Sequence, residues 1–253
     1  MSNFISKDKY EKIIASSPTT MKLPIYIGES NDGPFYLDLT KEKSIAMYGK
    51  CGISAVCSTS LFSMIKAREH ILRQNYFICI SCKRGYYDWN IKDIPFADEY
   101  ITDTCTAVYD LVHYFNSVKN TLSKLSTMSE DERKDSGYIF SYQEYVKNLA
   151  KHPRIYIFEG YQGPLAKGIL DNCGLNFNTI KEVFKNAYKF HIYILIPNCI
   201  RDKNELAESI HTSINIERTN KCYYAKIVKN KQVVKDHIHM VWYNETFKVK
   251  NNI

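Results

Sequence analysis

The 253-residue sequence has no apolar run near the roughly 18 residues of a membrane-spanning helix, and no secretory h-region at its N-terminus. Any work at a membrane would therefore need attachment through something else. Internal repeats and low-complexity tracts are also absent, and without a G-x-S-x-G elbow a serine hydrolase has no starting point. The length and a hydrophobic content of 45% suit one large α/β core, or one domain with a small appendage.

Cysteine is sparse: the sequence holds eight, which are too few for a disulfide scaffold in a chain of this length. Cys79 and Cys82 form a C-x-x-C on a predicted strand, but no second pair follows at zinc-binding spacing. We therefore expect reduced thiols in the core. The net charge of +7 comes mostly from scattered lysines, which favours a solvated surface and no nucleic-acid partner. A nucleic-acid-binding module is the alternative that this charge leaves open.

Apolar patterns predict strands that alternate with helices, which is typical of a mostly parallel sheet covered by helices on both faces. The predicted strands are Leu23–Ile27, Phe35–Leu39, Ser44–Tyr48, Tyr76–Ser81, Glu99–Thr102, Ile155–Phe158 and His191–Ile196, the last closed by Pro197. The predicted helices are Phe4–Ala15, Ala55–Arg73, Cys105–Leu125, Ser141–Lys151 and Phe177–Tyr188. Polar residues predict a surface loop over Ser126–Gly137, and alternation predicts a C-terminal hairpin of Cys222–Val228 and Gln232–Val241.

The segment after the predicted strand Ser44–Tyr48 has the outline of a phosphate-binding loop. A strand, a glycine turn and a helix form the context in which backbone N–H groups bind phosphate. Aligned from Gly49, however, the pattern G-x-x-x-x-G-K-[ST] meets Ser54, Ala55 and Val56 where Gly, Lys and Ser or Thr are required. The candidate nucleotide-binding residues of this degenerate loop are Gly49, Lys50, Cys51, Gly52, Ile53, Ser54, Ala55 and Val56.

The missing side chains weaken nucleotide binding in a defined way. Without the lysine, a nucleotide loses a charge-assisted contact worth about 1.5–3 kcal/mol. Without a hydroxyl at position 56, Mg²⁺ loses a protein ligand. A second frame, from Ser44 through Gly49-Lys50-Cys51, restores Gly-Lys but turns the strand into a loop. Alternatively, Lys50 could swing into the loop, or Gly49 and Gly52 could make an ordinary tight turn.

The order of these elements resembles the FtsK/SpoIIIE family of P-loop ATPases. The segments that carry the resemblance are Leu23-Pro24-Ile25-Tyr26-Ile27-Gly28, Tyr36-Leu37-Asp38-Leu39 and His191-Ile192-Tyr193-Ile194. Within that family the chain resembles the C-terminal ATPase-like module of the EssC/EccC coupling proteins of type VII secretion, which are membrane-anchored and carry several modules in tandem. The resemblance implies a RecA-like P-loop NTPase fold over residues 23–253, after an N-terminal helix and linker at residues 1–22.

The resemblance also places a Walker B motif at the end of the strand Ile155–Phe158. The family expects Asp-Glu there, with the Asp on Mg²⁺ and the Glu on the attacking water. Glu159 and Gly160 stand at these positions, and Gly160 has no side chain to act as a base. Glu159 could still bind Mg²⁺, or it could be a polar residue at a strand end.

A third family motif is a polar Thr-Gln pair that senses the γ-phosphate. Ile196 and Pro197 stand at these positions, and neither side chain can do this work. Asn198 follows one position late, where it could donate a hydrogen bond or cap a turn.

Losing lysine, base and sensor together removes both positioning and electrostatic stabilisation, which predicts a pseudo-ATPase with no catalytic residues and no metal site. ATP and Mg²⁺ are conceivable only as residual ligands of the loop. The resemblance implies substrate recruitment or regulation of secretion by a cytoplasmic module of a membrane-anchored protein. The implied partners are the other ATPase modules of that protein and secreted type VII substrates, with oligomers only in the full assembly. The alternative is an active FtsK-like translocase of protein or DNA.

Two further patterns lie in the C-terminal part. His237-x-His239 would place two imidazoles on one strand face, which suits a metal, but no third ligand is apparent nearby. The aromatic side chains could stack on nucleic-acid bases, close the core or contact a partner. They are Tyr223, Tyr224, Trp242, Tyr243 and Phe247.

Overall fold

The computed structural model describes residues 4–49, 76–82, 99–101, 104–159, 174–199, 206–219 and 222–243. The strands in these ranges are β1 (Phe4–Ile5), β2 (Pro24–Ser30), β3 (Gly33–Asp38), β4 (Ser44–Tyr48), β5 (Phe77–Cys82), β6 (Glu99–Ile101), β7 (Arg154–Glu159), β8 (Ile192–Cys199), β9 (Thr212–Thr219), β10 (Cys222–Lys229), β11 (Gln232–His239) and β12 (Trp242–Tyr243). The α-helices are α1 (Lys7–Ala15), α2 (Leu39–Glu42), α3 (Thr104–Thr127), α4 (Glu130–Asp135), α5 (Tyr142–Lys151) and α6 (Phe177–Asn186). Within these ranges no helix has an apolar stretch long enough to cross a bilayer.

Ten of the strands form one sheet in the order β3-β2-β11-β10-β9-β4-β8-β7-β5-β6. The six strands from β9 to β6 run parallel to one another. At the other side, β10, β11, β2 and β3 each run antiparallel to their neighbours. The mostly parallel α/β architecture with a C-terminal hairpin is therefore confirmed. The predicted helix at Ala55–Arg73 lies outside the described residues.

The central parallel strands are buried on both faces, so their side chains alternate between two apolar clusters. In β4, for example, Ile45 and Met47 join one cluster, whereas Ala46 and Tyr48 join the other. Helices α3 and α6 cover the second face with a continuous apolar stripe. The side chains of that stripe are Ala107, Val108, Leu111, Val112, Phe115, Phe177, Ile180, Val183 and Phe184.

The N-terminal helix packs against the antiparallel side of the sheet. The side chain of Ile13 is buried with those of Tyr26, Tyr36 and Val241. The Tyr36 hydroxyl donates a 2.7 Å hydrogen bond to the Ile13 carbonyl oxygen, and β1 pairs in parallel with β12. Residues of the first helix thus contribute to a satellite core.

Several local predictions were wrong. The polar segment predicted as a surface loop contains α4, which begins with a capping box in which Ser129 and Glu132 exchange hydrogen bonds. The predicted end of β8 at Pro197 is also wrong, because the strand continues to Cys199. Strand β9 was not predicted at all. Finally, Cys105 is disulfide-bonded rather than reduced, whereas Cys79 and Cys222 are buried thiols outside any disulfide.

Candidate nucleotide-binding edge of the sheet

Three of the candidate segments end at the same edge of the sheet. Strand β8 lies between β4 and β7 and runs parallel to both, so the carboxyl ends of the three strands are neighbours. Gly49 follows β4, Glu159 ends β7, and residues 196–198 lie near the end of β8. In α/β sheets this carboxyl edge is the usual place for a ligand. Lys50 to Val56 and Gly160, in contrast, lie outside the described residues.

Gly49 is held against a strand from a distant part of the sequence. A Cβ atom added at Gly49 would lie 2.8 Å from the Cβ of Ile216 and 2.9 Å from its carbonyl oxygen. Distances this short are not tolerated between real side-chain and backbone atoms. Packing against β9 therefore requires glycine at position 49, whether or not a phosphate binds the loop that follows.

The second reading frame of the loop does not fit the fold. It would place residues 45–48 in a phosphate-binding loop, but Ser44–Tyr48 is a fully buried strand paired on both sides. Ser44 Oγ lies 2.9 Å from Nδ1 of His211 and accepts a 3.1 Å hydrogen bond from the His211 backbone N–H. Ser44 belongs to the amino end of the strand, one strand length from Gly49.

The first residue of the candidate sensor pair, Ile196, is part of the core. Ile196 is 1% exposed and packs in the cluster that contains Ala46 and Tyr48. Its side chain offers neither a donor nor an acceptor to a phosphate. The resemblance placed a γ-phosphate sensor here, and the chain uses the position for apolar packing.

The next two residues of β8 form a β-bulge. Ala46 pairs with Ile196 and Tyr48 pairs with Cys199, so Pro197 and Asn198 together oppose the single residue Met47. A bulge leaves one residue without its ladder hydrogen bond, and proline has no N–H to offer one. This explains how an interior strand accommodates a proline, and it moves Asn198 out of the regular strand register.

The candidate Walker B segment is described by its backbone. Glu159 pairs with Cys82 at the ends of β7 and β5, one residue beyond the buried Phe158. Within the described part of the chain, no group of three or more His, Cys, Asp or Glu side chains could hold a metal ion. The described backbone therefore puts Glu159 at this edge, where Glu217 near the end of β9 is a second carboxylate-bearing residue.

Asn215 and Ile216 of β9 are residues of this edge that sequence reasoning missed. Asn215 pairs with Tyr48, directly before Gly49, and its buried Oδ1 accepts no hydrogen bond within the described residues. The signal for β9 was the alternation of Ile214 and Ile216 with polar residues. Because Glu217 and Arg218 follow immediately, the apolar run is short and easily overlooked.

A charged cluster lies at the opposite, amino end of β7. The guanidinium of Arg154 stacks 3.6 Å from the ring centre of Tyr114 and 4.1 Å from that of Phe77. The Tyr156 hydroxyl donates a 2.5 Å hydrogen bond to Asp110 Oδ2, and burial, reinforced by Asp110, raises the pKa of this tyrosine. These contacts join α3 to the sheet, and we interpret them as structural.

The two histidines of β11 do not form a metal site with other described residues. His237 and His239 both lie beside the ring of Tyr224, with ring centres 6.4 and 5.5 Å away. His237 adopts a positive φ of 52° next to a register shift in the hairpin. The imidazoles therefore contact an aromatic ring on the neighbouring strand.

Comparison with solved structures identifies the architecture. Thermomonospora curvata EccC (ATPases 2 and 3), in complex with a signal sequence peptide, superposes with a TM-score of 0.62 at 9% identity over 97% of this chain and 44% of that chain. EssC (ATPases 2 and 3) from Geobacillus thermodenitrificans gives 0.57 at 10% identity over 96% of this chain and 47% of the other. The pCW3 conjugation coupling protein TcpA, in its monomer form with ATPγS, gives 0.56 at 11% identity over 97% and 72%.

The fold is that of these ATPase domains. The chain spans less than half of the EccC and EssC chains that it matches. At these identities the likeness establishes architecture only. No family model and no curated protein matches the sequence.

Proposed function

We propose that this chain is a catalytically degenerate ATPase-like module of a type VII secretion coupling protein. The observation that carries this proposal is the burial of Ile196 in the apolar core at the position where a γ-phosphate sensor is implied. The substitutions at Ala55, Val56 and Gly160 support it, because they remove the lysine, the Mg²⁺ ligand and the base from one site. Residues 23–253 form the module, and residues 1–22 are its N-terminal helix and linker.

The degenerate module acts in substrate recruitment or in regulation of secretion. Two findings support this role: the fold shared with EccC and EssC covers 97% and 96% of this chain, and that EccC structure holds a signal sequence peptide. The partners are the other ATPase modules of the same coupling protein and its secreted substrates. The module works on the cytoplasmic side of a membrane-anchored protein and oligomerises only within that assembly.

Titration with Mg²⁺ and ATP, followed by a phosphate-release assay, tests the loss of catalysis. We expect no hydrolysis above the buffer background, and weak binding or none. Micromolar affinity together with phosphate release would overturn the proposal and favour an active translocase.

Two variants identify the residues responsible if nucleotide does bind. Lys50→Ala weakens binding if Lys50 replaces the missing loop lysine, and Glu159→Gln removes Mg²⁺ dependence if Glu159 holds the ion. Arg133→Gln is the control, because Arg133 belongs to α4 and to none of the candidate segments. It should leave nucleotide binding unchanged.

Recruitment is tested separately, with purified secreted substrates of the same system. Binding to this chain, alone or beside the upstream modules, supports the proposal. The recruitment role is wrong if two results occur together. No substrate binds to this chain, alone or beside the upstream modules, and secretion remains normal when this module is removed.

A further inference from the structure

The connection between α4 and α5 carries an exposed apolar surface. Ile139 is 83% exposed, Phe140 39% and Tyr142 44%, and we call these three side chains the apolar tip. Of the six large hydrophobic side chains exposed in the described part of the chain, the apolar tip holds three. Large apolar side chains exposed together in one short segment are typical of interaction sites in soluble proteins.

The backbone beneath the apolar tip is fixed on its first side by a Schellman motif. The N–H of Gly137 donates to the Lys134 carbonyl, and the N–H of Tyr138 donates to the Arg133 carbonyl, each at 3.1 Å. Gly137 has φ +74°, the left-handed conformation that this motif needs. Helix α4 therefore ends in a defined geometry that sets the direction of the chain into the tip.

Two further contacts complete the framework. Arg133 Nη1 donates hydrogen bonds of 3.0 and 3.1 Å to the carbonyl oxygens of Tyr138 and Ile139. Ser141 begins α5 with a capping box, in which its side chain and that of Glu144 each bond to the other residue's backbone N–H. The apolar tip is thus presented in one conformation before any partner arrives, which lowers the entropy lost on binding.

The segment of residues 130–144 that carries the apolar tip is acidic, although the chain as a whole carries +7 and Lys147 lies near Glu144. Five carboxylates stand against two cations in residues 130–144, and both cations are engaged. Arg133 binds the two carbonyls, and Lys134 Nζ lies 2.7 Å from Glu130 Oε1. The carboxylates are Glu130, Asp131, Glu132, Asp135 and Glu144. Hydrogen bonds from Lys134, Ser129 and Ser141 lower the pKa of Glu130, Glu132 and Glu144 respectively, so these three stay charged at neutral pH.

We propose that the apolar tip is a docking site for an amphipathic helix of a partner protein, with an apolar stripe flanked by lysine or arginine. The stripe covers Ile139, Phe140 and Tyr142, and the basic flank meets Asp131 and Asp135. The apolar tip shares no residue with the candidate nucleotide-binding edge, so the inference does not depend on the proposed function.

A helix fits better than the other occupants of an apolar surface. The carbonyls of Tyr138 and Ile139 are already bonded to Arg133, so this backbone offers no edge for an added strand. The surrounding carboxylates repel an anionic membrane. Recognition must therefore run through side chains, as it does when a helix packs on an apolar surface.

A second copy of this chain fits less well as the occupant. Its other exposed apolar pair, Val233 and Val234, lies in a hairpin with several lysines. Three of these lysines already form ion pairs, Lys226 with Asp236 (3.3 Å), Lys229 with Glu42 (2.7 Å) and Lys235 with Asp32 (3.0 Å). Of the four hairpin lysines, Lys231 alone has no ion pair among the described residues, so the hairpin would offer a single cation without breaking its own contacts.

The test uses the full chain and a fluorescein-labelled peptide of Leu and Lys, with the leucines on one helical face. The peptide is roughly 18 residues long, because shorter helices are marginal in water. A Leu/Glu peptide of the same pattern is the charge control. The apolar tip is small, so we expect a dissociation constant of about 10–100 μM for the Leu/Lys peptide by fluorescence anisotropy.

Three variants locate the binding. Ile139→Ser/Phe140→Ser should weaken it about tenfold or more, which corresponds to about 1.4 kcal/mol. Asp131→Asn/Asp135→Asn should weaken it about threefold and reduce its salt dependence. Val233→Ser/Val234→Ser removes another exposed apolar pair and should leave peptide binding unchanged. If thermal unfolding shows that the first double variant is destabilised, Ile139→Ser alone replaces it.

Four results would overturn the proposal: equal binding of the Leu/Glu peptide, an equal loss in the hairpin variant, binding to phosphatidylcholine vesicles through Ile139 and Phe140, and self-association in sedimentation velocity that Ile139→Ser abolishes. Binding confined to the Leu/Lys peptide and lost in the apolar-tip variant supports it.

Discussion

At the scale of single residues, Gly49 shows that a motif position can be fixed by packing instead of chemistry. The phosphate-loop pattern begins at this glycine, yet the contact that requires it is the backbone of Ile216 in β9. Nothing in the sequence around Gly49 announces that neighbour. A glycine at the start of a loop is therefore weak evidence for a ligand unless its surroundings are known.

Gly49→Ala should lower the free energy of unfolding by about 1–3 kcal/mol, because the new Cβ would overlap the Ile216 backbone and force a shift of the sheet. Urea unfolding followed by circular dichroism measures the change. The matched control is Gly137→Asn, where no atom lies within 4 Å of the added Cβ and Asn tolerates the positive φ. Equal losses in the two variants would contradict the packing explanation.

At the scale of elements, irregularities decide how the strands fit. The bulge at Pro197–Asn198 lets an interior strand carry a proline, and the pattern around it predicted a strand end instead. In the hairpin of β10 and β11, Asn230 and Lys231 both have positive φ, 49° and 65°, as a two-residue type I′ turn requires. Asn is favoured in such a turn, whereas Lys is strained there.

Lys231→Gly should stabilise the chain by about 0.5–1 kcal/mol. Glycine relieves roughly 1–2 kcal/mol of left-handed backbone strain, which exceeds the free-energy cost of its greater flexibility in the unfolded state. Thermal unfolding reports the gain, and Lys231→Val should show a loss. A destabilised glycine variant would mean that the lysine side chain makes a contact stronger than the strain.

At the scale of the whole molecule, half-buried histidines couple folding to pH. The pKa values of His191, His211 and His239 are all lowered, with burial as the largest cause in each case. A lowered pKa means that the unfolded chain binds more protons than the folded chain below the ordinary value of about 6.5. Their stabilising contribution is therefore complete above that pH and is lost as the pH falls through the folded values.

We expect the free energy of unfolding to fall from pH 7 towards pH 5, measured by urea titrations at fixed ionic strength. His191→Asn should flatten this dependence, because it removes one of the three groups while Asn accepts the φ of 57° at this position. A flat profile in the parent chain, or an unchanged slope in the variant, would refute the coupling.

Sequence patterns predicted some elements of the fold and missed others. Strands β4 and β7 were predictable because continuous apolar runs admit few alternatives in an α/β chain. Strand β9 escaped because its apolar residues are only two and its second half is charged. Helix α4 escaped although its capping box, Ser129 with Glu132, was legible in the sequence. The three segments of the candidate site were predictable. The contacts between them and distant strands, such as Gly49 with Ile216, were not.

The sequence by itself determined which side chains the candidate site lacks, because a missing lysine or base is a property of the residue type at one position. It also determined the alternation of strands and helices, since local apolar periodicity encodes it. Only the tertiary structure decided that Ile216 packs on Gly49, that Ile196 is a core residue and that Pro197 lies in a bulge. Those facts depend on contacts between distant parts of the chain, such as Tyr48 with Asn215, and strand order is set by the packing of the whole sheet.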